Sequence, residues 1–214
     1  MTIKVKICGL KTIKQVKESI NGKAKMIGLM FYKKSPRSIN IETAQKLSVY
    51  AGKKILKVGV CANMKISEIK KIIENVKLDY LQFHGTETLD FLKKIKKIKK
   101  IKIIKAITIS NQNDIKKINI FKNICDYILI DSKIVTKNKL NLKKKTNKLN
   151  WGFLKNIKNK KSLILSGAID IENLEEAVKI SNIKFVDISS SLESSPGKKN
   201  IKKINNFLNL ADKL

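Results

Sequence analysis

The chain has 214 residues, 43% of them hydrophobic, enough to bury the core of one β/α domain and too apolar for a disordered segment. No apolar run approaches the roughly 20 residues of a membrane-spanning helix, and the first residues lack the apolar region of a signal peptide. A cytoplasmic location is therefore expected, with no membrane partner.

Lysine and arginine total 47 against 17 acidic residues, a net charge of +30. Such a balance invites a nucleic-acid reading through counterion release at phosphates, but the details oppose it. Every basic residue except Arg37 is lysine, although arginine is the usual reader of phosphate and base edges. The lysines are spread over nearly every segment, and aromatic residues, at 6%, do not interleave with them as stacking platforms would. The bias is chain-wide. It predicts weak, salt-sensitive adhesion to polyanions and no specific nucleic-acid partner. Cys8, Cys61 and Cys125 are too few for a disulfide framework and lack CxxC spacing, so no zinc site is expected.

In chain order, Lys4-Val5-Lys6-Ile7-Cys8 reads as a strand ending in a cysteine and Gly9. Thr12 with Gln15 forms a capping box for a helix running to Asn21, stopped by Gly22. A second strand over 26–31 is apolar throughout, as a strand buried on both faces must be. A polar loop, 32–40, holds Arg37 and leads to a helix over 41–51. The pattern then repeats: strand 55–62 and helix 67–76; strand 80–85 and helix 87–97; strand 103–109 and helix 113–121; strand 127–131. Strand 162–167 follows, with Asp170 placed to cap a helix over 171–180. Strand 185–189 and an amphipathic helix over 199–211 close the series.

Eight strands alternating with helices, seven of them placed above where the fold calls for eight, predict a single-domain (β/α)8 barrel, a TIM barrel of the α/β class, over 1–214. A doubly wound open sheet is the alternative. One connection breaks the rhythm: the lysine-rich stretch 132–150 has no periodicity, and loops of that length are lids or disordered segments.

Active sites of such barrels sit at the carboxyl ends of the strands. Period-two alternation places Lys4, Lys6 and Cys8 on one face, so Cys8 points into the barrel mouth above Lys6, whose ammonium favours a thiolate. A buried inert cysteine is the alternative. Asp131 ends an apolar strand, where a partly desolvated carboxyl can hold a proton for delivery; a capping or lysine-paired aspartate is the alternative. Together they form a base and an acid able to move a proton between neighbouring carbons. His84, the one histidine, is read as structural or supporting. Turns at Ser166-Gly167-Ala168 and Ser189-Ser190-Ser191 offer backbone amides to a phosphate, the first at the start of a helix, so the expected partner is a phosphorylated small molecule. Arg37 has the planar fork suited to a carboxylate.

Several of these stretches, in the same order, resemble the phosphoribosylanthranilate isomerase family of tryptophan biosynthesis. They are Lys6-Ile7-Cys8-Gly9, Phe31-Tyr32 with Lys34-Ser35-Pro36-Arg37, Leu78-Asp79-Tyr80-Leu81-Gln82-Phe83-His84-Gly85, Asp131, Trp151, Val186-Asp187-Ile188-Ser189-Ser190 and Glu193-Ser194-Ser195-Pro196-Gly197. The resemblance implies a cofactor-free Amadori rearrangement. It makes Asp131 the general acid and Cys8 the general base, gives the anthranilate carboxylate to Arg37, and gives the phosphate to Gly167, Ala168, Ser189 and Ser190. Asp187 becomes a further substrate-orienting candidate, and a monomer or homodimer is implied. The chain departs from the family pattern at Lys33, Ala168 and Ser191, and has Lys143-Lys144-Lys145-Thr146-Asn147 where the family carries a glycine-rich lid motif. Two alternatives remain: a histidine-pathway phosphoribosyl isomerase, and a decayed barrel retained as a scaffold.

Overall fold

The computed structural model describes residues 2–131 and 151–214; the expectation of a lid at 132–150 falls outside them. Eight parallel strands close into one barrel in sequence order: β1 Lys4–Cys8, β2 Met26–Met30, β3 Leu56–Cys61, β4 Tyr80–Phe83, β5 Lys102–Thr108, β6 Tyr127–Asp131, β7 Leu163–Ser166 and β8 Phe185–Ile188. β8 pairs with β1 through Lys6↔Asp187 and neighbouring positions, which seals the ring and rules out the open sheet.

Helices wrap the outside: α1 Ile13–Asn21, α2 Ile41–Ala51, α3 Ile66–Asn75, α4 Leu89–Ile98, α5 Lys116–Phe121, α6 Leu174–Ser181 and α7 Ile201–Lys213. Alternation along the strands separates two apolar layers. Cys8, Met26, Val58, Val60, Ile104, Leu129 and Ile164 fill the barrel. Ile7, Ile27, Leu29, Leu81, Ile103 and Ile130 face outward and are covered by residues such as Val16, Ile69, Leu92, Leu174 and Phe207. Being buried on both sides, the strands carry the continuous apolar runs visible in the sequence.

The capping box forms as expected, with Thr12 Oγ1 accepting from the Gln15 amide and Gln15 Oε1 accepting from the Thr12 amide. Three helix expectations are corrected. Residues 112–115 form a 3₁₀ turn, leaving α5 only six residues, because Asn111 and Asp114 box that turn first. α6 starts at Leu174, three residues later than expected. Asp170 Oδ1 takes the amides of Glu172 and Asn173 and so holds a turn ahead of the helix. Among the described residues there are seven α-helices, with only the 3₁₀ turns Trp151–Leu154 and Lys160–Ser162 before β7. Trp151 and Leu154 are buried, but the polar run 155–161 offers no helical stripe to continue them.

A small antiparallel hairpin, β9 Glu193–Ser195 with β10 Lys198–Lys199, follows β8. The sequence gives little hint of it, because ESSPGKK reads as a polar turn. It brings Glu193 and Lys199 to the barrel. Four buried lysines each meet a carboxylate: Lys6 with Asp187, Lys57 with Asp79, Lys105 with Glu87, and Lys199 with Glu193. Burial without such partners is prohibitive for an ammonium.

Candidate active site

Cys8 and Asp131 are the last residues of β1 and β6, and in a closed parallel ring both stand at the same mouth. Cys8 belongs to the interior cluster, as does Leu129, two residues before Asp131 on the same face of β6. Two glycines make room for this arrangement. At Gly28, paired with Cys8 on β2, an added Cβ would lie 2.7 Å from Cys8 Sγ. Gly9 has φ of +83°, and an added Cβ would lie 2.7 Å from Arg37 Cδ, so the loop after β1 turns in a left-handed conformation while Arg37 lies across it.

Lys6 sits beneath Cys8 with its ammonium 2.8 Å from Asp187 Oδ1, both side chains buried. Burial works against the Lys6 charge, but Asp187 and the Cys8 thiolate outweigh it and raise its pKa. At Cys8 the balance goes the other way. Burial pushes the thiol up, the Lys6 and Lys199 ammoniums pull it down, Asp187 pushes it up again, and burial prevails. Lys6 favours the thiolate as expected and is the largest downward pull on Cys8, but burial outweighs it and the thiol is raised.

Asp131 Oδ2 lies 3.1 Å from His84 Nε2. His84 therefore meets Asp131 directly; the contact joins residues 47 positions apart and appears only when β4 and β6 take their places in the ring. Met30, Tyr32, Val60, Ala62, Gly85, Thr108 and His84 line a cavity of about 540 Å³ at this mouth. A separate cavity of about 770 Å³, lined by Ile3, Lys4, Val5, Leu163, Phe185 and Leu208, opens at the amino ends of the strands.

Arg37 does use its fork on a carboxylate, but the carboxylate is the protein's own. Its Nε and Nη2 donate to Glu193 Oε1 and Oε2 at 2.6 and 2.7 Å. Glu193 thereby fixes the guanidinium through two of its N–H groups. Lys199 Nζ donates to the same Glu193 Oε1 at 2.6 Å, and the Gly197 amide donates to Oε2. Burial pushes Glu193 up, yet these donors hold its carboxyl down at about 2.

The turns after β7 and β8 lie side by side, linked by Leu165↔Val186 pairing and by Ser166 Oγ donating to the Asp187 carbonyl at 3.3 Å. Gly167 and Ala168 have φ of +86° and +51°. The helix expected directly behind this turn is displaced to Leu174, with Glu175 and Glu176 in its first turn, so an anion here must meet the turn and not the helix end. Ser189 Oγ donates to the Cys8 carbonyl at 3.1 Å, and Ser190 opens a 3₁₀ turn. Asp187 is 7% exposed and held by Lys6, so its main contact is the ammonium below.

Ala168 adopts a left-handed backbone that costs a non-glycine residue about 1–2 kcal/mol. We expect Ala168→Gly to stabilise the fold by about 1 kcal/mol after the entropy of glycine is discounted, raising Tm by about 2–4 °C. An unchanged or lower Tm in a thermal melt would remove the strain argument.

A thiol, a carboxyl–imidazole pair and a fixed guanidinium around one opening equip the molecule for proton transfer on a small anionic substrate, and the fold and site define a (β/α)8-barrel enzyme of the acid–base class. Residues 5–210 match the family described as N-(5'phosphoribosyl)anthranilate (PRA) isomerase. An N-(5'-phosphoribosyl)anthranilate isomerase of Cereibacter sphaeroides is 32% identical over 215 aligned positions, covering 98% of both chains. The crystal structure of the Thermotoga maritima phosphoribosyl anthranilate isomerase superposes with a TM-score of 0.85 at 30% identity, covering 99% of this chain and all of that one. A crystal structure of a phosphoribosyl anthranilate isomerase in complex with reduced 1-(o-carboxyphenylamino)-1-deoxyribulose 5-phosphate superposes with a TM-score of 0.83 at 29% identity, covering 99% of this chain and all of that one. The chain belongs to the N-(5'-phosphoribosyl)anthranilate isomerase family.

Glu193 and Lys199 were not singled out as candidates in the sequence. Glu193 lay within a matching motif and could have been found as the one acidic residue there; Lys199 is one lysine among many and carried no signal.

Proposed function

We propose that the protein catalyses the Amadori rearrangement of N-(5-phosphoribosyl)anthranilate to 1-(2-carboxyphenylamino)-1-deoxyribulose 5-phosphate, the isomerisation of tryptophan biosynthesis, with Asp131 as acid and Cys8 as base. The observation that supports the reading is that both groups end strands at one barrel mouth, on strands that do not neighbour each other. Asp131 gives its proton to the furanose ring oxygen. The C1′–O bond breaks and the nitrogen lone pair forms C1′=N. Cys8 thiolate then takes the C2′ proton, the C–H pair forms C1′=C2′, and the C1′=N π pair returns to nitrogen. In the resulting enolamine, the thiol returns its proton to C1′ while the C2′ hydroxyl proton restores Asp131, leaving the ketone and an unchanged enzyme.

His84 orients Asp131 through the 3.1 Å contact. Arg37, fixed by Glu193, receives the anthranilate carboxylate on its remaining N–H groups, and the turns at Gly167–Ala168 and Ser189–Ser190 receive the phosphate through backbone amides. Asp187 acts through Lys6 beneath the base. The enzyme works in the cytoplasm on this phosphorylated small molecule, as a monomer or homodimer.

Generating the substrate in place and following the loss of its fluorescence tests the reading. Turnover supports it, and a folded protein with no turnover favours the scaffold alternative. In the same assay Arg37→Lys is expected to raise KM at least about tenfold, because an ammonium cannot both hold the two Glu193 oxygens and face a second carboxylate. An unchanged KM removes Arg37 from the substrate site.

A further inference from the structure

The groups around the Cys8 thiol form two charge groups drawn from five segments. β1 contributes Lys6 below the thiol, and β8 contributes Asp187, ion-paired with Lys6 at 2.8 Å. The loop after β2 contributes Arg37, β9 contributes Glu193, and β10 contributes Lys199. Three cations face two carboxylates. Lys6 and Asp187 cancel as a pair, whereas Glu193 alone serves both Arg37 and Lys199. The uncancelled positive charge therefore belongs to the Arg37–Glu193–Lys199 group.

Lys199 is the member of that group with reach toward the thiol. Its side chain is 1% exposed. Its ammonium donates to Glu193 Oε1 at 2.6 Å, to the Ser189 carbonyl at 3.1 Å and to Ser189 Oγ at 3.2 Å. Ser189 Oγ in turn donates to the carbonyl of Cys8. Glu193, at the other side, holds the two N–H groups of Arg37. One buried ammonium thus touches the support of the carboxylate clamp and the support of the base.

We propose that Lys199 is a positioning residue for the isomerisation: it fixes Cys8 through Ser189, fixes Arg37 through Glu193, and supplies the uncancelled charge that favours the Cys8 thiolate. The inference rests on Cys8 being the base. Burial opposes the Lys199 charge more than Glu193 and Cys8 sustain it, so its pKa is lowered. A lysine buried only for packing would have no such link to a thiol.

The test reads the thiol directly. The full-length protein is alkylated with iodoacetamide across a pH series, and the rate at the Cys8 peptide is followed by mass spectrometry, which separates it from Cys61 and Cys125. Lys199→Met is expected to move the alkylation midpoint upward by about one pH unit and to lower kcat at neutral pH about tenfold, with part of the loss recovered as the pH is raised. Lys199→Arg, which keeps the charge, is expected to hold the midpoint near that of the parent protein. Glu193→Gln, which removes the carboxylate from the Arg37–Glu193–Lys199 group, is expected to move it downward.

A folded Lys199→Met protein with the parent alkylation profile overturns the proposal, as does an equal shift in Lys199→Arg. Should Lys199→Met fail to fold, Glu193→Gln decides, and a midpoint unmoved or raised there is equally fatal. The base assignment fails separately: a fully active Cys8→Ala protein refutes Cys8 as base, whatever the alkylation series gives.

Discussion

Cys8→Ala is expected to lower kcat by about 10²–10⁴-fold, the usual contribution of a positioned base or acid, while leaving KM and the fold nearly unchanged. That loss corresponds to about 3–5 kcal/mol of barrier. The fold should survive because the side chain is small, lies beside Gly28 and makes no hydrogen bond that holds strands together; the β1–β8 and β1–β2 ladders are backbone interactions. Substrate binding should survive because Arg37 and the turns after β7 and β8 do not depend on the sulfur. Cys8→Ser is the sharper control, since a hydroxyl fills the same space but is a far weaker base at neutral pH. The pH profile adds a sign. Burial has raised the thiol, so the thiolate fraction, and kcat with it, should climb from neutral toward alkaline pH in the parent protein. In Cys8→Ser that climb should vanish. Full activity in Cys8→Ala, or an identical pH profile in Cys8→Ser, removes the cysteine from the chemistry.

What the sequence made legible was decided by how locally each feature is specified. The strands were readable because parallel strands buried on both faces must be apolar throughout; β6 at Tyr127–Asp131 matches its expected limits. Thr12 and Gln15 announce α1 because a capping box is contained in four residues. The start of α6 was misplaced because Asp170 and Asn173 are both capping residue types and only the three-dimensional turn chooses between them. Cys8, Asp131 and Arg37 could be picked out, each being chemically conspicuous in a chain dominated by lysine, isoleucine and asparagine. Their partners could not. His84 meets Asp131, Asp187 meets Lys6, and Glu193 meets Arg37 only through register around a closed ring, across separations of 47, 181 and 156 residues. Lys199 was the least visible of all, since nothing in the sequence distinguishes a buried, paired lysine from an exposed one.

Asp131→Asn should cost kcat about as much as loss of the base, 10²–10⁴-fold, but by stopping a different step. The amide is nearly isosteric and can still hydrogen-bond His84, so the 3.1 Å contact need not be lost; what disappears is the proton for the ring oxygen. Alanine would be a poorer choice, because it leaves the imidazole without its partner as well. The two variants are separated by deuterium at C2′ of the substrate. In Cys8→Ser, removal of the C2′ proton becomes the slow step, and deuteration should slow turnover further. In Asp131→Asn, ring opening becomes the slow step before any C2′ bond is touched, and deuteration should make no difference. Isotope effects of equal size in both variants would mean that the two residues limit the same step, and a carboxyl that acts only on the ring oxygen could not produce that result.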